Sequence, residues 1–333
     1  MDWHAAGLRR LDGIIWAMIA GVAGLALLTG PLYGFHLVAD SFVAPGGTCL
    51  LLMGGALYYS RRRDDPHLAS ALGCTAQVIA FAAVGAPLSY VAAAAGAGLP
   101  LHDAAAAAFD RAFDFDWRGL LATLEQWPHV QIAMRTIYMS LSAQMTVAVL
   151  VLGFSARLAW LRVYTLAFIF AALITIAISA VLPTEGVWLH DGLHAANHTV
   201  VPASSTSWPV FLGLRDGSYR LLEGVGAEGI ITFPSLHAAL AVIIVAALWP
   251  VRVARWVCVL INAAMLAATP IEGSHYLADV LAGLVVAAVS LAAARALVAR
   301  FAAAPQAMES LVAIEPGTEI EPVPVPSFSS SSR

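Results

Sequence analysis

The sequence predicts an all-α membrane protein, a bundle of about eight transmembrane helices, from its composition and its long apolar segments. Of the 333 residues, 60% are hydrophobic and only 11% are charged, and the mean hydropathy is +0.80. A soluble domain carries roughly 25% charged residues, so this chain has too few ionic groups to cover a water-facing surface. The 17 basic and 21 acidic residues provide no basic surface for nucleic acid. A soluble enzyme is therefore excluded.

Eight segments are long and apolar enough, or nearly so, to cross a bilayer, which takes about 20 residues. They cover residues 13–34, 42–60, 68–97, 137–156, 163–183, 233–249, 256–272 and 275–297. Two long loops separate some of these spans. A Pro-, Ser- and Glu-rich tail follows the last span and is expected to be disordered.

The basic residues predict the orientation of the spans. All 17 of them are arginine, and those next to the spans fall on one side of the membrane if all eight spans exist. They are Arg9, Arg10, Arg61, Arg62, Arg63, Arg157, Arg162, Arg252, Arg255, Arg295 and Arg300. By the positive-inside rule that side is the cytoplasm. We therefore expect an integral protein of the plasma (inner) membrane with both termini cytoplasmic and loops 98–136 and 184–232 outside.

The first of these loops contains an apolar stripe at helical spacing. The stripe consists of Trp117, Leu120, Leu121 and Leu124. Apolar residues at i, i+3, i+4 and i+7 share one face of a helix. The pattern predicts a helix lying on the outer membrane surface.

Polar residues stand at the outer ends of the sixth and eighth spans, where Phe233-Pro234-Ser235-Leu236-His237 and His275 to Asp279 begin apolar runs. The stretch from His237 to His275 is long enough for one crossing, a short turn and one crossing back. Both histidines therefore return to the same membrane face. We place Pro234 in the first turn of its helix. His275 and Asp279 are i, i+4 on one predicted helix, and a carboxylate in an apolar run needs a partner.

This arrangement suits phosphoryl transfer through a histidine. Asp279 would hold the Nδ1–H of His275 and leave Nε2 free as the nucleophile. His237 would protonate the leaving oxygen as general acid. The N-terminal ends of both helices would present free N–H groups to a phosphate. The alternative is that the His275–Asp279 pair is a structural clamp or a proton relay.

The same residues resemble the motifs of the type 2 phosphatidic acid phosphatase superfamily. Pro234-Ser235-Leu236-His237 resembles its second motif, Pro-Ser-Gly-His, and His275 with Asp279 resembles the end of its third motif. The resemblance implies that His275 is the nucleophile, Asp279 its orienting partner and His237 the general acid. It also implies a six-helix phosphatase-like core at residues 67–300, preceded by two extra helices in 1–66 and followed by the tail 301–333.

The chain departs from the family pattern where the family places cations. It has no lysine and no Arg-Pro dipeptide for the first motif, and Ala268-Thr269 stands where the third motif begins Ser-Arg. Phe233-Pro234-Ser235-Leu236-His237 and the missing arginine look more like the inositol phosphorylceramide synthase branch, which transfers head groups between lipids. The resemblance implies a lipid phosphatase or phosphotransferase that acts on a lipid phosphate or phospholipid through a phosphohistidine, with head-group transfer as the alternative.

A phosphate monoester or diester also needs positive charge close to it. The arginines expected to face outward are Arg111, Arg118, Arg135, Arg215 and Arg220. We favour Arg215, shortly before the sixth span, and then Arg220. Ser235 and Ser274, which adjoin the histidines, are further candidates for phosphate binding. The alternative is that the two arginines are ordinary solvated loop residues.

Two other hypotheses remain open. His190, Asp191, His194 and His198 have a spacing that a metal could use, but a polar loop is the simpler interpretation. We therefore expect no metal and no cofactor. A transporter or a non-catalytic membrane scaffold is the rival of another class, although transporter sites usually lie near the membrane midplane.

Overall fold

The computed structural model describes residues 3–302, so all but the start of the predicted tail 301–333 lies outside the described residues. The described part is almost entirely helical, as predicted, with thirteen α-helices. They are α1 Trp3–Thr29, α2 Val43–Arg61, α3 Pro66–Ala95, α4 Asp103–Ala112, α5 Trp117–Glu125, α6 Pro128–Met139, α7 Leu141–Phe154, α8 Leu158–Val181, α9 Val187–His190, α10 Trp208–Asp216, α11 Leu236–Leu248, α12 Arg252–Glu272 and α13 Leu277–Ala302. Two short parallel strands, β1 His36–Leu37 and β2 Leu221–Leu222, pair with each other. They join the connection between α1 and α2 to the loop between α10 and α11.

Six of the described helices are long and apolar enough to cross a membrane, namely α1, α2, α3, α8, α12 and α13. The chain is therefore an integral membrane protein. The predicted fourth span, residues 137–156, covers the end of α6 and the whole of α7, and these two helices pass the same criterion only together and are bent by 49° against each other. The predicted sixth span is only the 13 residues of α11. At 1.5 Å per residue α11 measures about 20 Å, less than the roughly 30 Å of a hydrocarbon core.

Helix α8 forms the centre of the bundle and packs against α3, α11 and α13. Its residues Tyr164, Leu166 and Ile169 are fully buried in the largest apolar cluster. Helix α2 lies at the edge, packs mainly on α3, and has only Ala56 among its buried residues. Two ends of the bundle can be defined: the loop end carries α4, α5, α9 and α10, and the arginine end carries Arg61, Arg157, Arg252 and Arg300.

The loop end is a protein layer, which corrects the prediction of a helix on the membrane surface. Trp117, Leu121 and Leu124 of α5 are buried and pack against Trp188 and Tyr276. The indole N–H of Trp117 donates to the Pro270 carbonyl oxygen at 2.9 Å. An apolar stripe can be covered by protein or by lipid, and its periodicity is the same in both cases.

A buried ion pair joins α1 to α8 near the arginine end. The guanidinium of Arg162, which is 3% exposed, donates to both carboxylate oxygens of Asp12 at 3.1 and 2.8 Å and to the Ser70 hydroxyl at 3.2 Å. The side-chain amide of Gln77 donates to the Asp12 carbonyl oxygen at 3.3 Å. These contacts fix the position of α1 on α3 and α8.

Replacing Asp12 should expose how much the bundle depends on this pair. Asp12→Ala leaves the charge of Arg162 buried without its partner, and we expect a loss of about 3 kcal/mol and a lower melting temperature in detergent. Adding Arg162→Met should restore most of the loss, because no buried charge then remains. Asp40→Ala, at an exposed aspartate, is the control. Equal melting temperatures of Asp12→Ala and wild type would contradict this role.

Candidate active site

His275 lies in the turn between α12 and α13, not inside a helix as the spacing predicted, because α13 begins at Leu277. Its ring is nevertheless beside Asp279: Nδ1 is 3.1 Å from the carboxylate oxygen Oδ2. The same oxygen accepts the backbone N–H of Tyr276 at 3.0 Å, so Asp279 reaches back over the start of its own helix. Burial lowers the pKa of His275 to about 4, which keeps the imidazole neutral at physiological pH.

Ser235 occupies the other side of the His275 ring. Its hydroxyl oxygen is 3.2 Å from Nε2 of His275 and also accepts the Ala238 N–H at 3.3 Å, which makes Ser235 the N-cap of α11. Pro234 therefore precedes the cap and is not in the first turn, as the sequence had suggested. The backbone N–H of Ser235 donates to the Asp279 carbonyl oxygen at 3.0 Å. The starts of α11 and α13 are thus bonded to each other.

His237 is the second residue of α11 and stacks on the ring of Tyr138, with centroids 4.0 Å apart and planes inclined by 10°. His237 and His275 line the same cavity, which has a volume of about 370 Å³. Tyr138 also lines this cavity, so the stacked pair forms part of its wall. The structure brings both predicted histidines to one cavity at the loop end.

The upper wall of this cavity is polar and acidic. Glu185 and Glu228 line it, together with hydroxyl groups. These hydroxyl groups belong to Ser89, Ser142, Thr175, Ser204, Ser207 and Thr232. Apart from the two histidines, none of the described residues that line the cavity is basic. Burial and the nearby Asp103 raise the pKa of Glu185, which favours its neutral form.

The two predicted phosphate-binding arginines do not line this cavity and contact backbone carbonyl groups, although the charge of Arg215 acts on the carboxyl of Glu185 and opposes the rise of its pKa. Arg215 donates to the carbonyl oxygens of Gly96 and Leu99, at 3.4 and 2.8 Å. Arg220 donates to those of Gly213, Leu214 and Tyr219 within its own loop. Neither side chain lines the cavity of the histidines. Such contacts are those of arginines that hold loops in place.

The two predicted phosphate-binding serines differ from each other. Ser274 is buried, and its hydroxyl accepts the Trp188 N–H at 2.8 Å, so it fixes the loop around α9. Ser235 touches the His275 ring, as described above. Of the four predicted phosphate-binding residues, Ser235 is therefore the one with a side-chain contact to a predicted catalytic residue.

Two buried aspartates of α4, which the sequence did not single out, align the turn that carries His275. Asp103 accepts the Gly186 N–H at 2.9 Å and the Tyr276 hydroxyl at 3.1 Å. Asp110 accepts the N–H of Leu277, the first residue of α13, at 3.0 Å. A seven-residue separation places both carboxylates on one helix face, which is the signal that sequence reasoning could have used.

Close packing around the site requires glycine at two positions. A Cβ atom on Gly273 would overlap the His275 ring, and one on Gly283 would overlap the Ser235 carbonyl oxygen. Gly273 thus lets the ring fold over the turn. Gly283 lets α13 approach the start of α11, where the two helices are bonded.

The predicted metal-binding spacing does not form a site. Asp191 pairs with Arg118 at 2.6 Å, and Nδ1 of His198 is 3.0 Å from Glu125. The described residues contain one other set whose ligand atoms lie within 4.8 Å of one another, and it consists of Asp103, Glu185 and His190. The oxygens of Asp103 already accept backbone N–H groups and the Tyr276 hydroxyl, so we assign no metal to this set.

A family model described as PAP2 superfamily matches residues 104–293, more than half of the chain, and includes His237, His275 and Asp279. The chain belongs to the PAP2 superfamily. No curated protein and no solved structure matches it. The match begins at α4 and ends within α13, so α1, α2 and α3 lie outside the matched residues. Membership in the PAP2 superfamily supports a phosphatase-type lipid function.

The carboxyl group of Asp110 should make stability depend on pH. Burial and the nearby Asp279 raise the pKa of Asp110 from 3.8 to about 6. A raised pKa means that the folded state binds this proton more tightly than the unfolded state does. The contribution of Asp110 to stability is therefore complete below about pH 4 and is lost as the pH rises through 6.

Asp110→Asn should remove this dependence while keeping an oxygen for the Leu277 N–H. We expect the melting temperature of the wild type, relative to that of the variant, to fall between pH 4 and pH 7. Thermal unfolding in detergent at several pH values measures the difference. Asp114→Asn, in the exposed turn after α4, is the control. A difference that does not change with pH would show that Asp110 does not titrate in this range.

Proposed function

We propose that this protein is an integral-membrane lipid phosphatase or phosphotransferase that works through a phosphohistidine on His275. The observation that carries the proposal is the arrangement of four side chains. Asp279 binds one nitrogen of His275, the other nitrogen points to Ser235, and His237 faces the same cavity. The family match gives independent support for phosphate chemistry.

The chemistry follows from the neutral imidazole. With Nδ1–H donated to Asp279, Nε2 carries the lone pair that attacks phosphorus. The bond from phosphorus to the leaving oxygen breaks, and protonated His237 gives its proton to that oxygen. In the second step, water or a lipid alcohol attacks the phosphorus and gives its proton to His237. The P–N bond then breaks and returns the electron pair to Nε2.

The phosphoryl oxygens need donors close to Nε2. The Ser235 hydroxyl is 3.2 Å from this nitrogen and can turn to donate to a phosphate oxygen. The backbone N–H groups at the first two positions of α11, Leu236 and His237, have no partner within the helix and add donors at its positive end. We retain Ser235 as a phosphate-binding residue and base no step on Arg215 or Arg220.

Head-group transfer is the second candidate, and the acidic cavity favours it. Glu185 and Glu228 would repel a doubly charged phosphate monoester more than a singly charged diester. Carboxylates also accept hydrogen bonds from hydroxyl groups of a head group or of an acceptor alcohol. In this version the second attack comes from a lipid alcohol, and no free phosphate is produced.

We further propose that the site faces outward and that both termini are cytoplasmic. The site lies at the loop end, whereas Arg61, Arg157, Arg252 and Arg300 lie at the opposite end of the bundle. The positive-inside rule places those arginines in the cytoplasm. The substrate then comes from the outer leaflet of the plasma membrane.

Substitutions of three of these side chains test the mechanism. We expect His275→Ala and Asp279→Asn to abolish turnover in purified protein, and His237→Ala to lower kcat by about 10²–10⁴-fold because the leaving oxygen lacks its acid. Wild type incubated with a ³²P-labelled lipid phosphate should carry an acid-labile, alkali-stable label that His275→Ala lacks. His129→Ala, at an exposed histidine of α6, is the control. Full activity of folded His275→Ala would refute the mechanism.

Product analysis separates hydrolysis from transfer. Purified protein is given phosphatidic acid, phosphatidylglycerol or phosphatidylinositol, each with and without diacylglycerol or ceramide. Release of inorganic phosphate from phosphatidic acid identifies a phosphatase. A new phospholipid that forms only when acceptor is present identifies a transferase, which is the outcome expected if the acidic wall selects a diester. Turnover of none of these lipids would favour the transporter or scaffold hypothesis.

A further inference from the structure

The cavity of the two histidines changes from polar to apolar with depth. On α3 it is lined from Ser89 down to Phe81, and on α8 from Thr175 down to Phe168. Eight helical residues correspond to about 12 Å, so the cavity extends well into the bundle from the level of the histidines. Its deeper lining is Phe81, Met145, Phe168, Ala172 and Leu240. A lining of this kind fits a hydrocarbon chain and offers no partner to a polar solute.

The cavity also opens sideways, between α3 and α7. Ala82 and Ser142 line it, yet both are exposed on the bundle surface. Near the arginine end the same two helices are in close contact, with Gly153 packed against Ala71. At the level of Ala82 and Ser142, by contrast, both helices contribute an exposed residue to the cavity lining. Ser142 directly follows the 49° bend between α6 and α7, which turns α7 relative to the helix before it.

The α3 side of the opening is made of small residues on one helix face. They are Ala82, Gly85, Ala86 and Ser89. Ala82 lies near the middle of the 30-residue α3, so the opening is at the depth of the hydrocarbon core and not at the water interface. A water-soluble molecule has no route to an opening at that depth, whereas a lipid chain is already there.

We propose that the opening between α3 and α7 is a lateral portal through which one hydrocarbon chain of the lipid substrate passes from the bilayer to the apolar part of the cavity. This rests on the proposed function, because it assumes that the phosphate of the same lipid reaches His275. The portal belongs to α3, which lies outside the residues matched by the family model.

The structure also predicts which residues limit the chain. Phe81 and Phe168 meet edge to face at the deep end, with ring centroids 5.2 Å apart. A chain that follows the cavity from the histidines reaches these rings after about 12 Å. Phe81 and Phe168 thus close the deep end of the path that we propose for the hydrocarbon chain, and they limit the chain length that the cavity accepts.

Narrowing the portal should lower the turnover of lipid substrates but not that of water-soluble phosphate esters. We expect Ala82→Phe to lower kcat/KM for a long-chain lipid phosphate in nanodiscs at least tenfold, and to change that for p-nitrophenyl phosphate less than twofold. Ala82→Leu, a smaller obstruction, should give a smaller loss on the lipid only. Ala288→Phe is the matched control, since Ala288 is exposed on α13 and does not line the cavity. Unchanged lipid turnover in Ala82→Phe, or equal losses on both substrates in both Ala82 variants, would overturn the portal.

A photo-crosslinking experiment tests the portal without using activity. A lipid phosphate with a diazirine at the end of its chain is incorporated into the nanodisc and activated. We expect labels on peptides containing Met145 or Phe168, present in His275→Ala and lost in Ala82→Phe. Labels confined to α2 and α12, which face the bilayer, would refute the portal. If the protein is labelled at these peptides but turns over no lipid, the portal is supported and the proposed chemistry has failed.

Discussion

The contact between Asp279 and His275 is the interaction on which the rest of the site depends. Asp279 is fully buried, and a carboxylate in such a place is stable only with strong partners. It receives the Tyr276 N–H and faces Nδ1 of His275, so one side chain both caps α13 and orients the ring. The turn must fold back for this, which is why Gly273 and the supporting carboxylates of Asp103 and Asp110 surround it.

The second constraint is the bond between two helix starts. The Ser235 N–H donates to the Asp279 carbonyl oxygen, and the absence of a side chain at Gly283 lets the helices approach. Because α11 and α13 are joined at this point, His237 and His275 keep their relative positions. A reaction that hands a proton from one ring to an oxygen beside the other requires such fixed spacing. The shortness of α11 is consistent with this, because the helix begins after its N-cap Ser235, at the level of the site.

The sequence predicted the bundle and the neighbourhood of the histidines because both follow from local patterns. Apolar length identifies spans, and two crossings bring His237 and His275 to one end. The sequence could not predict that Asp279 meets His275 across a turn, because two residues within one helix can have the same i, i+4 spacing. Arg215 was favoured for its position along the chain, but its guanidinium reaches the carbonyls of Gly96 and Leu99, more than a hundred residues earlier. Asp110 was missed because its seven-residue separation from Asp103 shows a shared helix face but does not show that this face is buried.

The charge of the cavity bears on the choice between the two candidate reactions. A phosphate site whose described lining contains no arginine must rely on other hydrogen-bond donors, and Ser235 with the first N–H groups of α11 provides only a few. Glu185 and Glu228 add negative charge beside them, although the raised pKa of Glu185 reduces that charge when it takes up a proton. A singly charged diester needs fewer donors and is repelled less by these carboxylates than a doubly charged monoester, and hydroxyl groups on its head group can donate to them. This charge is the observation on which head-group transfer is proposed as the second candidate reaction.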